Sequence, residues 1–114
     1  MAAQVAPGER GATRIADRVV AKIAARAARE ALKTVPVGGS PPHATVTVRN
    51  NAARVRVSVE LDYPSDIGGQ CGEVRRQVAE RVKALAGMEV PEVAVQVERL
   101  HSAQVRAAAR GRTR

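Results

Sequence analysis

Hydrophobic and polar positions repeat with helical spacing over Thr13–Lys33, the longest such pattern in the chain. At about 100° per residue, one side of this segment is apolar and the other is basic. The apolar side consists of Ile15, Val19, Val20, Ile23, Ala27 and Ala31. The basic side consists of Arg14, Arg18, Lys22, Arg26, Arg29 and Lys33. The pattern predicts an amphipathic helix, N-capped by Thr13, whose basic side meets water or an acidic partner.

Two segments of alternating polarity follow this helix, after a loop rich in Pro and Gly. Alternation with a period of two indicates strands, which we place at Ala44–Asn50 and Arg54–Asp62. Their inward side chains would be Val46, Val48, Val55, Val57, Val59 and Leu61. The intervening Asn50-Asn51-Ala52-Ala53 predicts a hairpin turn, because Asn tolerates left-handed backbone angles.

Helical spacing returns at about Cys71–Ala86, and alternation returns at Glu92–Arg99. The second helix would bury Val74, Val78, Val82 and Leu85, and Gly87 is placed to end it. The third strand would point Val93, Val95 and Val97 inward. The opposite face of the sheet would be open, with Thr45, Thr47, Arg49, Arg54, Arg56, Glu60 and Gln96.

The order helix, strand, strand, helix, strand predicts one small α/β (α+β) domain with two helices on one face of a three-stranded mixed sheet. A right-handed crossover makes the second and third strands parallel, either adjacent or flanking the first. We assign residues 1–12 to a disordered N-terminal segment and residues 13–100 to the domain. Residues 101–114 are assigned to a basic tail or a short helix.

The formal net charge of +8 is concentrated in the first helix and the C-terminal tail, since residues 34–100 hold as many acids as bases. Such a charge is typical of proteins that bind nucleic acid, an anionic surface or an acidic protein. Abundant Arg and Ala also follow from a GC-rich genome, and the tail could be merely solubilising. With no Trp, no Phe and one Tyr, the core is poor in large side chains, which favours association.

No convergent catalytic groups are visible along the chain. Cys71 is the only cysteine, so an intrachain disulfide and a thiolate zinc cluster are excluded. The two histidines, His43 and His101, are too few and too far apart to suggest a metal site. Asp62 and Asp66 have no histidine or lysine near them in sequence to form a nucleophile and base pair. The sequence predicts no enzyme, no metal and no cofactor.

One local motif favours a different function. Gly69-Gln70-Cys71-Gly72, placed before the second helix, has the G-x-x-G form with which KH domains clamp a nucleic-acid backbone. A KH loop connects two helices, however, and this one lacks basic residues and a stacking platform of aromatic side chains. The alternative prediction is therefore an RNA- or DNA-binding protein that uses the first helix, this loop and the tail. Its contacts would be Gly69, Gln70, Gly72, Arg106, Arg110 and Arg112.

Three segments resemble a known family. They are TRIADRVVAKIAARAAREAL, VRVSVELDYPSDI and EVRRQVAERVKALAGMEVPEVAVQVERL. Together they make residues 14–100 similar to the alkaline-shock-protein family of bacterial envelope stress response proteins. The last segment is the most specific, because helix, Ala-Gly-Met turn, Val-Pro-Glu-Val and alternating strand follow the family's order without a gap.

The resemblance implies a small cytoplasmic α/β protein without known catalysis, linked to envelope stress or homeostasis. Some members self-assemble, and some are held at the membrane by an integral membrane partner. No stretch approaches the roughly 20 apolar residues that span a bilayer. We therefore expect a cytoplasmic interaction module that forms a homo-oligomer, binds a membrane-anchored partner, or does both. The candidate docking residues are Arg14, Arg18, Lys22, Arg26 and Arg29.

Overall fold

The computed structural model of the chain describes the backbone of residues 7–102 and the side chains of residues 16–102. Its elements follow in the predicted order: α1 Pro7–Leu32, β1 His43–Arg49, β2 Ala52–Tyr63, α2 Ile67–Ala86 and β3 Glu89–Ser102. The three strands form one mixed sheet, which confirms the predicted α+β domain. The predictions for residues 1–6 and 103–114 lie outside the described residues.

The central strand of the sheet is β2, which pairs antiparallel with β1 and parallel with β3. The predicted parallel pair is therefore confirmed, and of its two possible arrangements the adjacent one is found. Asn50 and Asn51 have φ angles of 51° and 60°, so both central positions of the β1–β2 turn are left-handed. A two-residue turn of this kind matches the twist of paired strands. Ala52 and Ala53, predicted as part of the turn, begin β2 instead.

Both helices begin earlier than their periodicity predicts. α1 begins at Pro7, so residues 7–12 are helical and Thr13 lies inside the helix rather than at its N-cap. Proline is favoured in the first turn of a helix, where its missing N–H needs no partner. α2 begins at Ile67, four residues before Cys71, because the Asp66 side chain caps it by accepting from the Gly69 N–H at 3.1 Å.

The predicted end of α2 is confirmed. Gly87 follows the helix with a left-handed φ of 65° and donates its N–H to the Lys83 carbonyl at 3.1 Å. β3, in contrast, is longer than predicted and runs from Glu89 past Pro91 to Ser102. Proline is tolerated there because β3 is an edge strand, where a missing N–H removes no ladder hydrogen bond.

The core lies between the two helices and one face of the sheet. Alternation along β2 buries Ala53, Val55, Val57, Val59 and Leu61, as predicted for the last four. The other buried apolar side chains come from the helices: Val20, Ala24, Ala27, Ala28, Val74, Val78 and Val82. Because alanine fills little space, α1 has to lie close to α2 and the sheet to exclude water.

Two residues predicted to be inward are exposed. Val19 is 49% exposed and Leu85 is 65% exposed, although both lie near the apolar side of a helix. In each helix the buried residues include a row with a spacing of four, Val20-Ala24-Ala28 in α1, beside which Ala27 is also buried, and Val74-Val78-Val82 in α2, followed by the partly buried Ala86. Helices commonly pack along such rows, which turn slowly around the helix axis. Val19 and Leu85 fall outside these rows.

Enlarging the alanine face of α1 should therefore destabilise the fold. We expect Ala27→Leu, at a fully buried position, to lower the free energy of unfolding by about 1–3 kcal/mol, because the added atoms force α1 away from the core. The matched control, Ala84→Leu at an exposed position of α2, should change it by less than about 0.5 kcal/mol. Urea unfolding followed by circular dichroism measures both, and equal effects would contradict the close packing of α1.

Candidate functional site

The exposed side of α1 carries a straight line of cations. We call this the basic row; its members are Arg18, Lys22, Arg26, Arg29 and Lys33. All five are exposed, and they lie on the side opposite the buried Val20, Ala24 and Ala27. At about 1.5 Å per residue the row is about 22 Å long. The structure thus brings together four of the five predicted docking residues, whereas the side chain of Arg14 lies outside the described side chains.

Most of the basic row has no ion pair in the part of the chain that the structure describes. Arg26 lies 3.5 Å from the Glu30 carboxylate, and its side chain is still 81% exposed. Among residues 16–102, no carboxylate lies within ion-pair distance of Arg18, Lys22, Arg29 or Lys33. Lys33, the last member of the row, follows the helix directly and has a left-handed φ of 69°. Its N–H donates a hydrogen bond to the Arg29 carbonyl.

The two acids of α1 whose side chains the structure describes, Asp17 and Glu30, contact other elements of the fold. The Asp17 carboxylate accepts the backbone N–H of Val48 on the edge strand β1 at 3.1 Å. The Glu30 carboxylate accepts from Arg81 of α2 at 2.7 Å. One acid therefore fastens α1 to the sheet and the other fastens it to α2, which leaves the bases of the same helix facing solvent.

α2 neutralises part of its charge within the helix. Arg76 is paired within its own helix, with Glu73 at 2.7 Å and Glu80 at 2.9 Å. The hydrogen bond from Arg76, then its charge, and more weakly the charge of Lys33 lower the pKa of Glu73. Such spaced pairs neutralise a helix surface locally. Arg75 and Lys83 of α2 are also exposed without an ion pair in the described residues, but the unpaired cations of α1 form one continuous row, which makes the basic row the candidate surface for a partner.

A groove of about 620 Å³ adjoins the end of the basic row. We call it the C-terminal groove. One wall is the last turns of α1, with Ala25, Arg26, Arg29, Glu30 and Lys33, and the other is the prolines Pro41 and Pro42 of the loop before β1. Three members of the row therefore line a concave surface, where a ligand can be contacted from two sides.

The sheet face away from the helices is open over most of its area, as predicted. Thr45, Thr47, Arg54 and Arg56 line a shallow depression on it, and Arg54 pairs with Glu92 of β3 at 3.1 Å. Glu60 is the exception, because its side chain is only 13% exposed. The reason for its burial is a contact between distant parts of the chain.

Glu60 of β2 is paired with His101 of β3 at 2.7 Å, and the His101 side chain is 11% exposed. The hydrogen bond from His101 is the main cause that lowers the pKa of the Glu60 carboxyl, against the opposing effect of burial. The backbone of Gly39 lies over the pair: an added Cβ would be 3.0 Å from His101 Nε2 and 3.2 Å from Glu60 Oε1. Sequence reasoning missed this pair, which only the parallel register of β2 with β3 could have indicated.

The G-x-x-G motif is not a loop. Gly69, Gln70 and Gly72 all lie within α2. The Gly69 N–H is bound by the Asp66 carboxylate, and the Gln70 side-chain amide donates to Ser65 Oγ at 2.9 Å and to the Asp66 carbonyl at 3.1 Å. The predicted loop is thus corrected: the positive end of the helix is already satisfied by a carboxylate of the chain, which would repel a phosphate.

The remaining predicted positions add no further site. Cys71 is half-buried, and burial raises the pKa of its thiol, as for an ordinary packed cysteine. No group of three His, Cys, Asp or Glu side chains in the described residues could hold a metal ion. Neither α1 nor α2, over the residues described, is long and apolar enough to cross a membrane. Arg106, Arg110 and Arg112 lie outside the described residues.

Comparison of the chain with models of protein families, with curated proteins and with solved structures finds no match in any of the three. The function is therefore argued from the geometry of the site.

The two glycines of the motif should respond to alanine in opposite directions. At Gly69 an added Cβ would collide with the Asp66 carboxylate, whereas at Gly72 it would meet open space. We expect Gly69→Ala to lower the free energy of unfolding by about 1 kcal/mol through loss of the cap. Gly72→Ala should raise it by about 0.5–1 kcal/mol, because alanine is the better helix former. Thermal unfolding measures both, and a shared sign would contradict the capping geometry.

The Glu60–His101 pair should make stability depend on pH. Because the folded pKa of Glu60 lies below its usual value of 4.5, the ionised carboxylate stabilises the fold above pH 4.5. That stabilisation is lost as the pH falls through the lowered pKa. The free energy of unfolding of the wild type and of Glu60→Gln should therefore converge as the pH is lowered from about 6 to about 3. Urea titrations across this range measure it, and a constant difference would contradict the pairing.

Proposed function

We propose that this protein is a non-enzymatic interaction module that uses the basic row of α1 to dock an acidic surface of a partner protein. The observation that carries the proposal is that the described acids of α1 bond to other elements of the fold, whereas most of its described bases do not. The two acids described in α1, Asp17 and Glu30, contact β1 and α2, whereas four cations of the row have no ion pair in the described residues. A rigid helix with exposed and unpaired cations presents charge at fixed spacing, as electrostatic docking requires.

The affinity expected from the row is modest and depends on salt. An exposed ion pair contributes about 0.2–1 kcal/mol, so four new pairs give roughly 1–4 kcal/mol. Interactions of this kind weaken as the Debye length shortens with added salt. The row would therefore steer and orient a partner, and contacts outside it would supply the rest of the affinity.

The resemblance to the alkaline-shock-protein family supplies the biological setting of the proposal. In that setting the protein acts in the cytoplasm in envelope stress response and homeostasis, and a membrane-anchored partner holds it near the membrane. Self-assembly, which the resemblance also implies, would use a different surface, because two basic rows repel each other. The open face of the sheet offers such a surface.

The absence of catalysis is part of the proposal. Two histidine–glutamate pairs occur in the described residues: Glu60–His101, which the backbone of Gly39 covers, and His43–Glu98, which is exposed on the surface at 3.8 Å with no pocket around it among those described. Nucleic-acid binding has weaker support than protein docking. Its motif at Gly69–Gly72 is engaged by Asp66 and Ser65, and the described residues contain a single aromatic side chain, Tyr63, with which to stack bases.

Charge reversal on the row tests the proposal. We expect Arg18→Glu with Lys22→Glu to leave the fold intact and to abolish recovery of an envelope protein after cross-linking and pull-down from cell extract. Both side chains are exposed, so unfolding is not expected. The control is Arg75→Glu with Lys83→Glu, which makes the same change of net charge on exposed positions of α2.

The outcome separates the candidate surfaces. Loss of the partner with the row variant and its retention with the α2 variant would support docking through α1. Unchanged recovery with both would move the binding site to the open sheet face or the tail. Recovery of nucleic acid without any envelope protein would overturn the proposal in favour of nucleic-acid binding.

A further inference from the structure

We infer that the C-terminal groove binds an extended acidic peptide segment whose glutamate or aspartate side chains pair with Arg29 and Lys33 while a neighbouring apolar side chain packs on Pro41 and Pro42. This inference rests on the proposed function and names the chemistry of the partner at one end of the basic row. It follows from the shape of the groove, from its charges and from the spacing of its cations.

At the C-terminal end of α1, the basic row forms one wall of a concave surface. Arg26, Arg29 and Lys33 line it from the helix, and Pro41 and Pro42 face them from the loop. Its volume of about 620 Å³ suits a few side chains of a bound segment. Proline rings offer rigid apolar surface beside these cations, so the groove fits a ligand that combines negative charge with a small apolar group.

The same charges disfavour a phosphate ligand. Glu30 is in the wall of the groove, held by Arg26 at 3.5 Å and by Arg81 at 2.7 Å. The groove also lies at the C-terminal end of α1, where the helix macrodipole is negative. A compact, multiply charged phosphate would meet both effects at once. Single carboxylates spread along a chain can pair with Arg29 and Lys33 and leave Glu30 to accept a peptide N–H.

The spacing of the cations matches an extended chain. Arg29 and Lys33, four positions apart, are separated by about 6 Å along the helix axis, since the Lys33 N–H still bonds the Arg29 carbonyl, whereas Arg26 and Arg29, three positions apart, are separated by about 4.5 Å. Alternate residues of an extended peptide lie about 6.6–6.8 Å apart and point to the same side. A segment with acidic residues at alternate positions can therefore reach Arg29 and Lys33 without a change of conformation.

A second copy of the chain is the less suitable occupant. Each copy carries a formal net charge of +8, so association through a basic groove works against long-range repulsion. The described glutamates of α2, Glu73 and Glu80, are also already paired with Arg76. Charge complementarity therefore selects a separate acidic partner.

The experiment uses the full chain and a fluorescein-labelled peptide, Glu-Ser-Glu-Leu-Glu-Ser-Glu, titrated by fluorescence anisotropy at low salt. We expect Arg29→Glu with Lys33→Glu to weaken binding at least about tenfold, since two exposed pairs are lost and two repulsions are added. Arg75→Glu with Lys83→Glu, the control of equal charge, should weaken it less than about threefold. A peptide with Gln in place of every Glu should not bind.

The apolar wall is tested separately. Replacing the leucine of the peptide by serine should weaken binding to the wild type about threefold to tenfold. Pro41→Ser with Pro42→Ser should remove this preference for leucine while leaving the dependence on glutamate. Circular dichroism of each variant confirms that it is folded before the comparison is made.

Three results would overturn the inference. Equal weakening by the two charge-reversed variants would mean that net charge alone attracts the peptide. A leucine preference that survives in the proline variant would place the apolar contact elsewhere. An oligouridylate that displaces the peptide and is itself weakened by Arg29→Glu with Lys33→Glu would make the ligand a nucleic acid.

The test also distinguishes this inference from the proposal on which it rests. If partner recovery is lost with Arg18→Glu and Lys22→Glu but retained with Arg29→Glu and Lys33→Glu, the groove is not the peptide site and docking through α1 stands. If neither pair affects recovery, both conclusions fall.

Discussion

The structure depends on the close approach of α1 through its alanine face. The core contains valine, alanine and a single leucine, and its largest fully buried side chains are valines. With so little volume to fill the space between layers, water is excluded only if the helices lie close to the sheet and to each other. Ala24, Ala27 and Ala28, each without exposed surface, make this approach possible. The same contact sets the rotation of α1 about its axis and so turns the basic row towards solvent.

Two polar contacts reinforce that orientation. Asp17 reaches the Val48 N–H, which belongs to an edge strand and would otherwise be open to pairing with another chain. Glu30 reaches Arg81 and ties α1 to α2. The Asp17 contact is partly buried, whereas Glu30 stays exposed and also lies 3.5 Å from Arg26. The electropositive character of α1 therefore depends on the number of its bases and on the use of Asp17 within the fold.

The sheet has two ends of different character on its open face. Towards Thr47 and Arg54 the face is shallow and accessible, and Arg54 pairs there with Glu92 at 3.1 Å. Towards Glu60 and His101 it is closed, since the loop that follows α1 crosses over this pair at Gly39. That loop also supplies Pro41 and Pro42 to the C-terminal groove. One connection thus closes part of the sheet and completes the groove beside the basic row.

The sequence by itself determined the element types, their order and most inward positions, because periods of two and 3.6 are properties of local backbone geometry. It also determined the stop at Gly87 and the turn at Asn50-Asn51, where left-handed angles need particular residues. It located four of the exposed cations of α1 correctly. Sequence reasoning missed the local cap of Asp66 on Gly69, three residues away, which starts α2 before Gly68, Gly69 and Gly72. Tertiary structure alone decided that Val19 and Leu85 stay exposed and that His101 meets Glu60, 41 residues away. These two outcomes depend on helix packing and on strand register, which join distant residues and leave no periodic trace in the chain.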